Sequence, residues 1–304
     1  MDQQVIDFFH QAWGTFRDGR SPPIFPGPQP ISIERRHFQI LKNGEYVVCE
    51  KTDGVRHALV CLTIDGKKVT ALINRALDIR YVKLQMPKSA HNGTILDGEL
   101  VDNNLLMVYD AVMVSGESVM ELDLLGRLGK AAMFIKGIMR MTKDPITVKL
   151  KTFMDAKCIT QFYAEVIPKL PYETDGLVFT PVNEPVRIGT HETMFKWKPR
   201  DLNTIDFQVK WHRDRWCLYI QDRGILVFES EIRNAEPFKD ILKEDAIVEC
   251  QYMIDDKPIW WKPVGVRTDK KHPNNRRTFY RTMVNVRENI QWEEFASMYK
   301  SSKG

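Results

Sequence analysis

The stretch EYVVCEKTDGVRHALV, Glu45 to Val60, constrains this chain more than any other. Tyr46-Val47-Val48-Cys49 is rich in β-formers and free of glycine and proline, which predicts a buried strand. Asp53-Gly54 then signals a tight turn, and His57-Ala58-Leu59-Val60-Cys61 resumes an apolar run as a second strand. Lys51 is thereby held at the rim of a sheet, its backbone fixed on both sides. A free ammonium has a pKa of about 10.4 and does not attack until burial or neighbouring cations lower it. The hexapeptide by itself suits either a lysine nucleophile or an ordinary lysine in a hairpin turn, because short motifs recur by chance.

At 304 residues there is room for two domains and a sizeable core. A content of 43% hydrophobic and 28% charged residues is that of a soluble globular protein. Lys and Arg interrupt every apolar run before it reaches the length of a membrane span. The start, MDQQVIDFFHQAW, lacks the basic region and long apolar run of a secretory signal. Cys49, Cys61, Cys158, Cys217 and Cys250 are odd in number and show no CxxC spacing, which points to reduced thiols inside a cell and away from structural zinc. The net charge of +4 decides little, but KKHPNNRR is strongly basic. Such a cluster suits polyphosphate or nucleic acid, and equally a solvated loop.

Apolar positions at Val5, Ile6, Phe8, Phe9, Ala12, Trp13 and Phe16 predict an amphipathic helix over residues 3 to 17. The proline-rich SPPIFPGPQP, Ser21 to Pro30, reads as a connector, and ERRHFQIL as a short helix. CLTIDGKKVTALINR predicts a hairpin turning at Asp65-Gly66, with Arg75 at the end of its second strand. GTILDGELV and NLLMVYDAVMV are further strands, residues 117 to 141 and 153 to 168 are helical in pattern, and DGLVFTPV and MFKWKP return to strand. An irregular sheet with inserted helices means an α+β domain rather than a βαβ repeat. Beyond Asn203, IDFQVKWH, RWCLYIQD, ILVFESEI, AIVECQYMI and PIWWKPVGVR are short strands with little helix between them, which predicts a small OB-type barrel. The expected domains are 1–203 for the first, 204–285 for the barrel, and 286–304 for a C-terminal helix docked on one of them.

Six stretches, in order, carry a resemblance: KTDGVR (Lys51 to Arg56), LDGELV (Leu96 to Val101), VYDAVMVSG (Val108 to Gly116), TDGLVF (Thr174 to Phe179), FKWKP (Phe195 to Pro199) and RTDKKHPN (Arg267 to Asn274). Together they resemble the covalent nucleotidyltransferase superfamily, which contains mRNA capping guanylyltransferases and ATP- or NAD-dependent polynucleotide ligases. FPGPQPISIER, EPVRIGTHETMFKWKP and WWKPVGVRTDKKHPN are similar to the capping branch. That resemblance implies a nucleotidyltransferase domain with mixed and antiparallel sheets, followed by an OB-fold barrel. It also implies transfer of GMP from GTP through a lysyl–GMP intermediate to 5′-diphosphate RNA. An ATP-dependent DNA or RNA ligase working through lysyl–AMP is the alternative.

On this resemblance Lys51 is the nucleophile, and Lys196 and Lys198 flank the α-phosphate from one side of a strand, with Trp197 turned to the core. Glu99 and Asp175 are the carboxylates for magnesium or manganese and for nucleotide hydroxyls, since hard cations take oxygen ligands. Each sits in an Asp-Gly turn context, where Asp53 and Asp97 suit capping of the turn. Arg56 and Arg75 are expected at the ribose and phosphates, and Tyr109 as a stacking platform for guanine. Arg267, Asp269 and Lys270 are expected to orient the β- and γ-phosphates, with His272 and Asn274 as loop structure. The implied partners are GTP, 5′-diphosphate RNA, a separate RNA triphosphatase and the tail of the transcribing RNA polymerase II, without a membrane. The implied setting is the nucleus, or alternatively a cytoplasmic viral factory.

Overall fold

The computed structural model describes residues 1–15, 24–139, 146–268 and 270–300. Phe16, the Ser21-Pro22-Pro23 start of the connector, the far end of the helix expected to residue 141, and Asp269 lie outside the described residues. By contact density the chain divides into two compact units. The first holds 1–31, 39–196 and 296–304; the second holds 32–38 and 197–295.

The N-terminal periodicity forms α1, Asp2–Ala12, and β1 follows at Gln29–Ser32. A short 3-10 turn at Arg35–His37 runs into α2, Phe38–Asn43. Next come β2 (Tyr46–Thr52), β3 (Val55–Ile64), β4 (Lys67–Asn74), β5 (Ile79–Tyr81), β6 (Thr94–Val101), β7 (Leu105–Val114) and β8 (Glu117–Ser118). α3 spans Leu124–Lys136, and Asp123 caps it by accepting from the Gly126 amide at 2.7 Å. The helical segment expected from 117 therefore starts later, after a two-residue strand. β9 (Thr147–Leu150) and β10 (Met154–Asp155) precede a run of short helical turns that includes α4, Ile159–Gln161. β11 (Thr174–Pro181) and β12 (Thr190–Trp197) complete the strands before the second unit.

Two sheets organise this part. One is five-stranded in the order β1-β12-β11-β2-β10; the other is seven-stranded, β5-β4-β3-β6-β7-β8, with β9 parallel to β7. β2 and β3 belong to different sheets, so the turn expected at Asp53-Gly54 is a corner between sheets and not the hairpin of the plainer reading. The Asp65-Gly66 hairpin forms between β3 and β4, with φ of 48° and 76° at its tip.

The continuous apolar run of β3 has a simple cause. Ala58, Val60 and Leu62 pack with Val5, Phe9 and Trp13 of the N-terminal helix and its end. Leu59 and Cys61 join the opposite cluster, which includes Ala131 and Phe134 of α3. Alternate side chains point to opposite faces of a strand. Both faces are covered here, so both must be apolar. Burying each large side chain is worth about 1.5–3 kcal/mol.

The second unit is built on β13 (Thr204–His212), β14 (Arg215–Asp222), β15 (Ile225–Glu231), β16 (Ile247–Met253) and β17 (Trp260–Val266). These are the five strands expected, antiparallel throughout, in the order β15-β14-β13-β16-β17. Ile205, Phe207 and Val209 alternate inward from β13 and meet Leu218, Val248 and Trp261. Phe207 stands edge-on to Trp261 at 4.9 Å. α5 (Arg276–Glu288) closes this core with Phe279 and Met283. Asn275 caps α5 by accepting from the Thr278 amide, and Asn289 ends it in the left-handed region. α6 spans Trp292–Lys300. A division at 203 misses Ser32–Phe38, which belongs with the second unit. There Ile33 O accepts from Asn285 Nδ2, and the Arg35 amide donates to Glu288.

Candidate active site

Lys51 lies next to the end of β2. Strand alternation sends Glu50 into the core and Lys51 to the other face, where it is partly exposed. Its Nζ donates to Asp175 Oδ1 at 2.7 Å. The neighbouring strand explains that aim. Thr174 of β11 pairs with Thr52, and Leu177 with Glu50, so Asp175 and Gly176 together face Lys51. This is a β-bulge, two residues opposite one, which turns a side chain that a regular ladder would place elsewhere. Gly176 takes a φ of 145°, a conformation reserved for glycine. The Asp-Gly pair is thus a bulge within β11 and not the turn expected.

The same correction applies to Asp97-Gly98, which sits inside β6. Opposite it, Asp97 pairs with Asp110 and Gly98 with Val108, leaving Tyr109 as the extra residue of a second bulge. Asp97 is fully buried and caps no turn. It accepts Arg56 Nε at 3.1 Å, Arg56 Nη2 at 2.5 Å and the Tyr109 hydroxyl at 3.1 Å. Arg56 also donates from Nη1 to Pro28 O at 2.7 Å and lies 4.8 Å from the Phe25 ring centre. A side chain at Gly27 would overlap that guanidinium, so the FPGP stretch needs its glycine. Burial works against the charge of Arg56, but the Asp97 carboxylate more than offsets it and the guanidinium stays protonated.

Glu99 follows Asp97 by two residues and pairs with Arg56 across the ladder. Burial pushes its carboxyl up to about 7; Lys151, Lys51 and Arg56 pull it down, and Asp97 adds to the rise. Lys151 carries no sequence signal, yet it is buried at this site. Its Nζ donates to Glu50 O at 3.0 Å, lies 3.6 Å from Glu50 Oε1, and stands 5.4 Å from the Tyr109 ring centre. Glu50 is buried completely and accepts from the Tyr172 hydroxyl at 2.9 Å and from Thr52 at 3.3 Å. Its Oε2 has no hydrogen-bond partner among the described residues. Tyr109, expected as a stacking platform for guanine, has Arg56 at 5.9 Å and Lys151 at 5.4 Å from its ring centre.

Lys51, Arg56, Glu99, Tyr109 and Asp175 therefore come together, joined by Asp97, Glu50, Lys151 and Tyr172, which sequence reasoning ranked low or passed over. Alternation was the available signal for Asp97, since residues two apart on a strand share a face with Glu99. Arg75 follows β4, is exposed, and reaches Gln29 Oε1 at 3.5 Å, beside the Pro28 carbonyl that Arg56 holds. Lys196 is on β12, and Lys198 follows its last residue, Trp197. Trp197 is buried as expected and donates to Ile290 O at 2.8 Å.

In the second unit, Arg267 and Lys270 meet on one residue, Asp206 of β13. Arg267 Nη1 lies 3.2 Å from Asp206 Oδ1, and Lys270 Nζ bonds Asp206 Oδ2. Asn274 pins the Asp206 backbone on both sides, accepting from its amide at 2.8 Å and donating to its carbonyl at 2.7 Å. Asn274 is structural here, and Asp206 is the organiser that the sequence did not mark.

Among the described residues no group of three or more His, Cys, Asp or Glu stands ready as a metal cage. Glu99 and Asp175 are hard oxygen donors near Lys51. Two such carboxylates fit a magnesium- or manganese-type ion whose remaining ligands are phosphate oxygens and water.

The cluster thus gathers two lysines, an arginine and four carboxylates around β2, β6 and β11. The model of the mRNA capping enzyme catalytic domain matches residues 10–200, and that of the mRNA capping enzyme C-terminal domain matches residues 202–296. The mRNA-capping enzyme subunit alpha of Schizosaccharomyces pombe is 30% identical over 91% of this chain and 80% of its own length. The Neurospora crassa subunit alpha is 27% identical over 92% and 85%. The mRNA-capping enzyme of Danio rerio is 26% identical over 88% of this chain but only 47% of its own. Among solved structures, a mycobacterial DNA ligase D complexed with ATP matches at a TM-score of 0.43 and 12% identity, over 84% of this chain and 98% of that one; a likeness so loose carries no argument. The chain belongs to the mRNA capping enzyme family, as an mRNA guanylyltransferase whose substrates are GTP and RNA.

Proposed function

We propose that guanylyl transfer runs through a covalent adduct on Lys51. The lysine nitrogen attacks the α-phosphorus of GTP, a nitrogen–phosphorus bond forms, and pyrophosphate leaves with the electron pair of the broken bond. The terminal phosphate oxygen of 5′-diphosphate RNA then attacks the same phosphorus, and Lys51 departs as the leaving group. Splitting the transfer makes each displacement separately accessible. What each step needs is in-line placement and neutralised charge.

The single observation that carries the reading is the 2.7 Å contact of Lys51 with the bulge-mounted Asp175. Asp175 orients the lysine. Arg56, immobilised by Asp97, and Arg75 contact the ribose and phosphates, and Tyr109 packs against the base. Lys196 and Lys198 neutralise the α-phosphate. Arg267, Asp269 and Lys270 orient the β- and γ-phosphates during the first step. Glu99 and Asp175 would hold a magnesium or manganese ion, which would supply charge neutralisation at the phosphate oxygens. A separate RNA triphosphatase supplies the diphosphate ends, and recruitment to the RNA polymerase II tail in the nucleus fits the eukaryotic relatives named above.

The test is incubation with labelled GTP or ATP plus the divalent ion, followed by denaturing electrophoresis. Label from GTP, acid-labile and base-stable, is expected. Label from ATP alone would favour a ligase, and no covalent label from either would end the adduct mechanism.

A further inference from the structure

The second unit contains a groove of about 370 Å³, a volume suited to one small flat molecule or one unit of a polymer. Tyr252, Trp260, Tyr280, Met283, Glu229 and Arg287 line it, and every one of them lies within that unit. No reaction step proposed above uses any of them.

Its aromatic rings are held in place before anything binds. Trp260 donates its indole N–H to Asp256 Oδ2 at 2.6 Å and leans on Phe238 at 6.1 Å. Tyr280 is 54% exposed, far more than a core tyrosine, with Arg276 lying 5.6 Å from its ring centre and anchored to Asp222. α5 carries Arg276, Arg277, Arg281 and Arg287, with Glu288 its sole acid, and Glu288 already accepts from the Arg35 amide. The side chains of Arg287 and Glu229, by contrast, enter no hydrogen bond or ion pair among the described residues. Glu229 is half-buried in the wall, and burial raises its carboxyl.

Exposed aromatic faces beside arginines are the arrangement that single-stranded nucleic acid uses: bases stack, and phosphates meet the cations. Glu229 refines the choice. An apolar protein segment would cover this carboxylate without satisfying it, a costly outcome. The amino edge of a nucleobase offers the N–H donors that a carboxylate accepts. We propose that this groove binds the RNA substrate, receiving an unpaired base of the transcript behind its 5′ end while Arg287 and Arg276 hold the adjoining phosphates. The proposal names the RNA contact surface of the guanylyl transfer described above and rests on that reading.

The experiment uses the full chain, loaded as lysyl–GMP enzyme, with two acceptors: a single-stranded 5′-diphosphate RNA oligonucleotide and a 5′-diphosphate mononucleotide. The variants are Trp260→Ala with Tyr280→Ala, the conservative Trp260→Phe with Tyr280→Phe, and Arg287→Ala. For the alanine pair, adduct formation from GTP should be unchanged, and KM for the oligonucleotide should rise about tenfold, as expected when base stacking is lost. KM for the mononucleotide should not move, and the phenylalanine pair should restore the oligonucleotide value. Arg287→Ala should weaken oligonucleotide binding and lessen its salt dependence.

An unchanged oligonucleotide KM, or an equal rise for both acceptors, overturns the proposal. Fluorescence anisotropy of the oligonucleotide on enzyme without GTP checks the same point directly, and an unchanged affinity in the alanine pair also overturns the proposal. A failure of the wild type to form lysyl–GMP would strike the adduct mechanism alone, while about tenfold weaker RNA binding by the alanine pair would still be required here.

Discussion

The first unit's polar centre and the second unit's basic cluster are built from the same chemistry at different depths. Around Lys51, carboxylates and cations are interleaved: Asp175 on Lys51, Asp97 on Arg56, Glu50 near Lys151. The Asp97 and Glu50 side chains are fully buried, and their partners nearly so. Among the described residues the Asp206 carboxylate takes both Arg267 and Lys270, whose side chains keep about a third of their surface in solvent. Removing one member of a buried pair strands a charge in low dielectric, whereas a half-exposed cation is rescued by water. The first centre is therefore a rigid receptacle, and the second a set of cations lightly parked on an internal anion.

The harshest test is Lys51→Arg. Arginine keeps the charge and the contact to Asp175 but stays protonated, so GTP labelling should vanish while thermal melting is preserved. Next, Asp97→Ala leaves Arg56 uncompensated and should destabilise by about 3–5 kcal/mol in urea titrations. If it costs less than 1 kcal/mol, the first centre is as forgiving as the second and the contrast fails.

Lys270→Ala should slow adduct formation about 10²-fold, the scale for losing one charge-stabilising donor. Transfer of GMP from adduct already made should stay near normal, because pyrophosphate has gone. Equal damage to both steps would make Lys270 a structural residue. Asp206→Ala is the partner of Asp97→Ala and should cost less, about 1–3 kcal/mol.

The smallest effect is in pH. The Glu99 carboxyl holds its proton up to about 7 when folded, against 4.5 for the ordinary group. Between those values the folded state binds more protons than the unfolded one, so this group erodes stability as pH rises through the window. Glu99→Gln should flatten that decline in melting temperature, and an unaltered slope would show that Glu99 is not the group responsible.

Much of this was legible in the chain, and the failures have physical causes. β2, β3 and β6 are apolar on the pattern of covered strands, so their existence and the order of Lys51, Glu99 and Asp175 could be read directly. Periodicity says nothing about which sheet a strand joins, so the corner at Asp53-Gly54 read only as a tight turn. Asp-Gly marks turns and bulges alike, so Asp97 was undervalued. Lys151 meets Glu50 across 101 residues of sequence, a tertiary contact with no local trace. Asp206 lies 61 residues from Arg267 for the same reason.

The corner between β2 and β3 has a consequence for how such chains can vary. Lys51 is clamped in one sheet opposite Asp175-Gly176, and Arg56 in another beside Glu99. The few residues between them act as a ruler laid across two independent scaffolds. A Cβ at Gly54 would come 2.7 Å from Leu100 O, so even the width of the ruler is limited. One inserted residue would slide one scaffold by a step and turn its side chains to the opposite face. The β3–β4 tip at Asp65-Gly66 has open space around its glycine and carries no such duty. Length changes among relatives should collect at that tip, and KTDGVR should keep its spacing even where its letters drift.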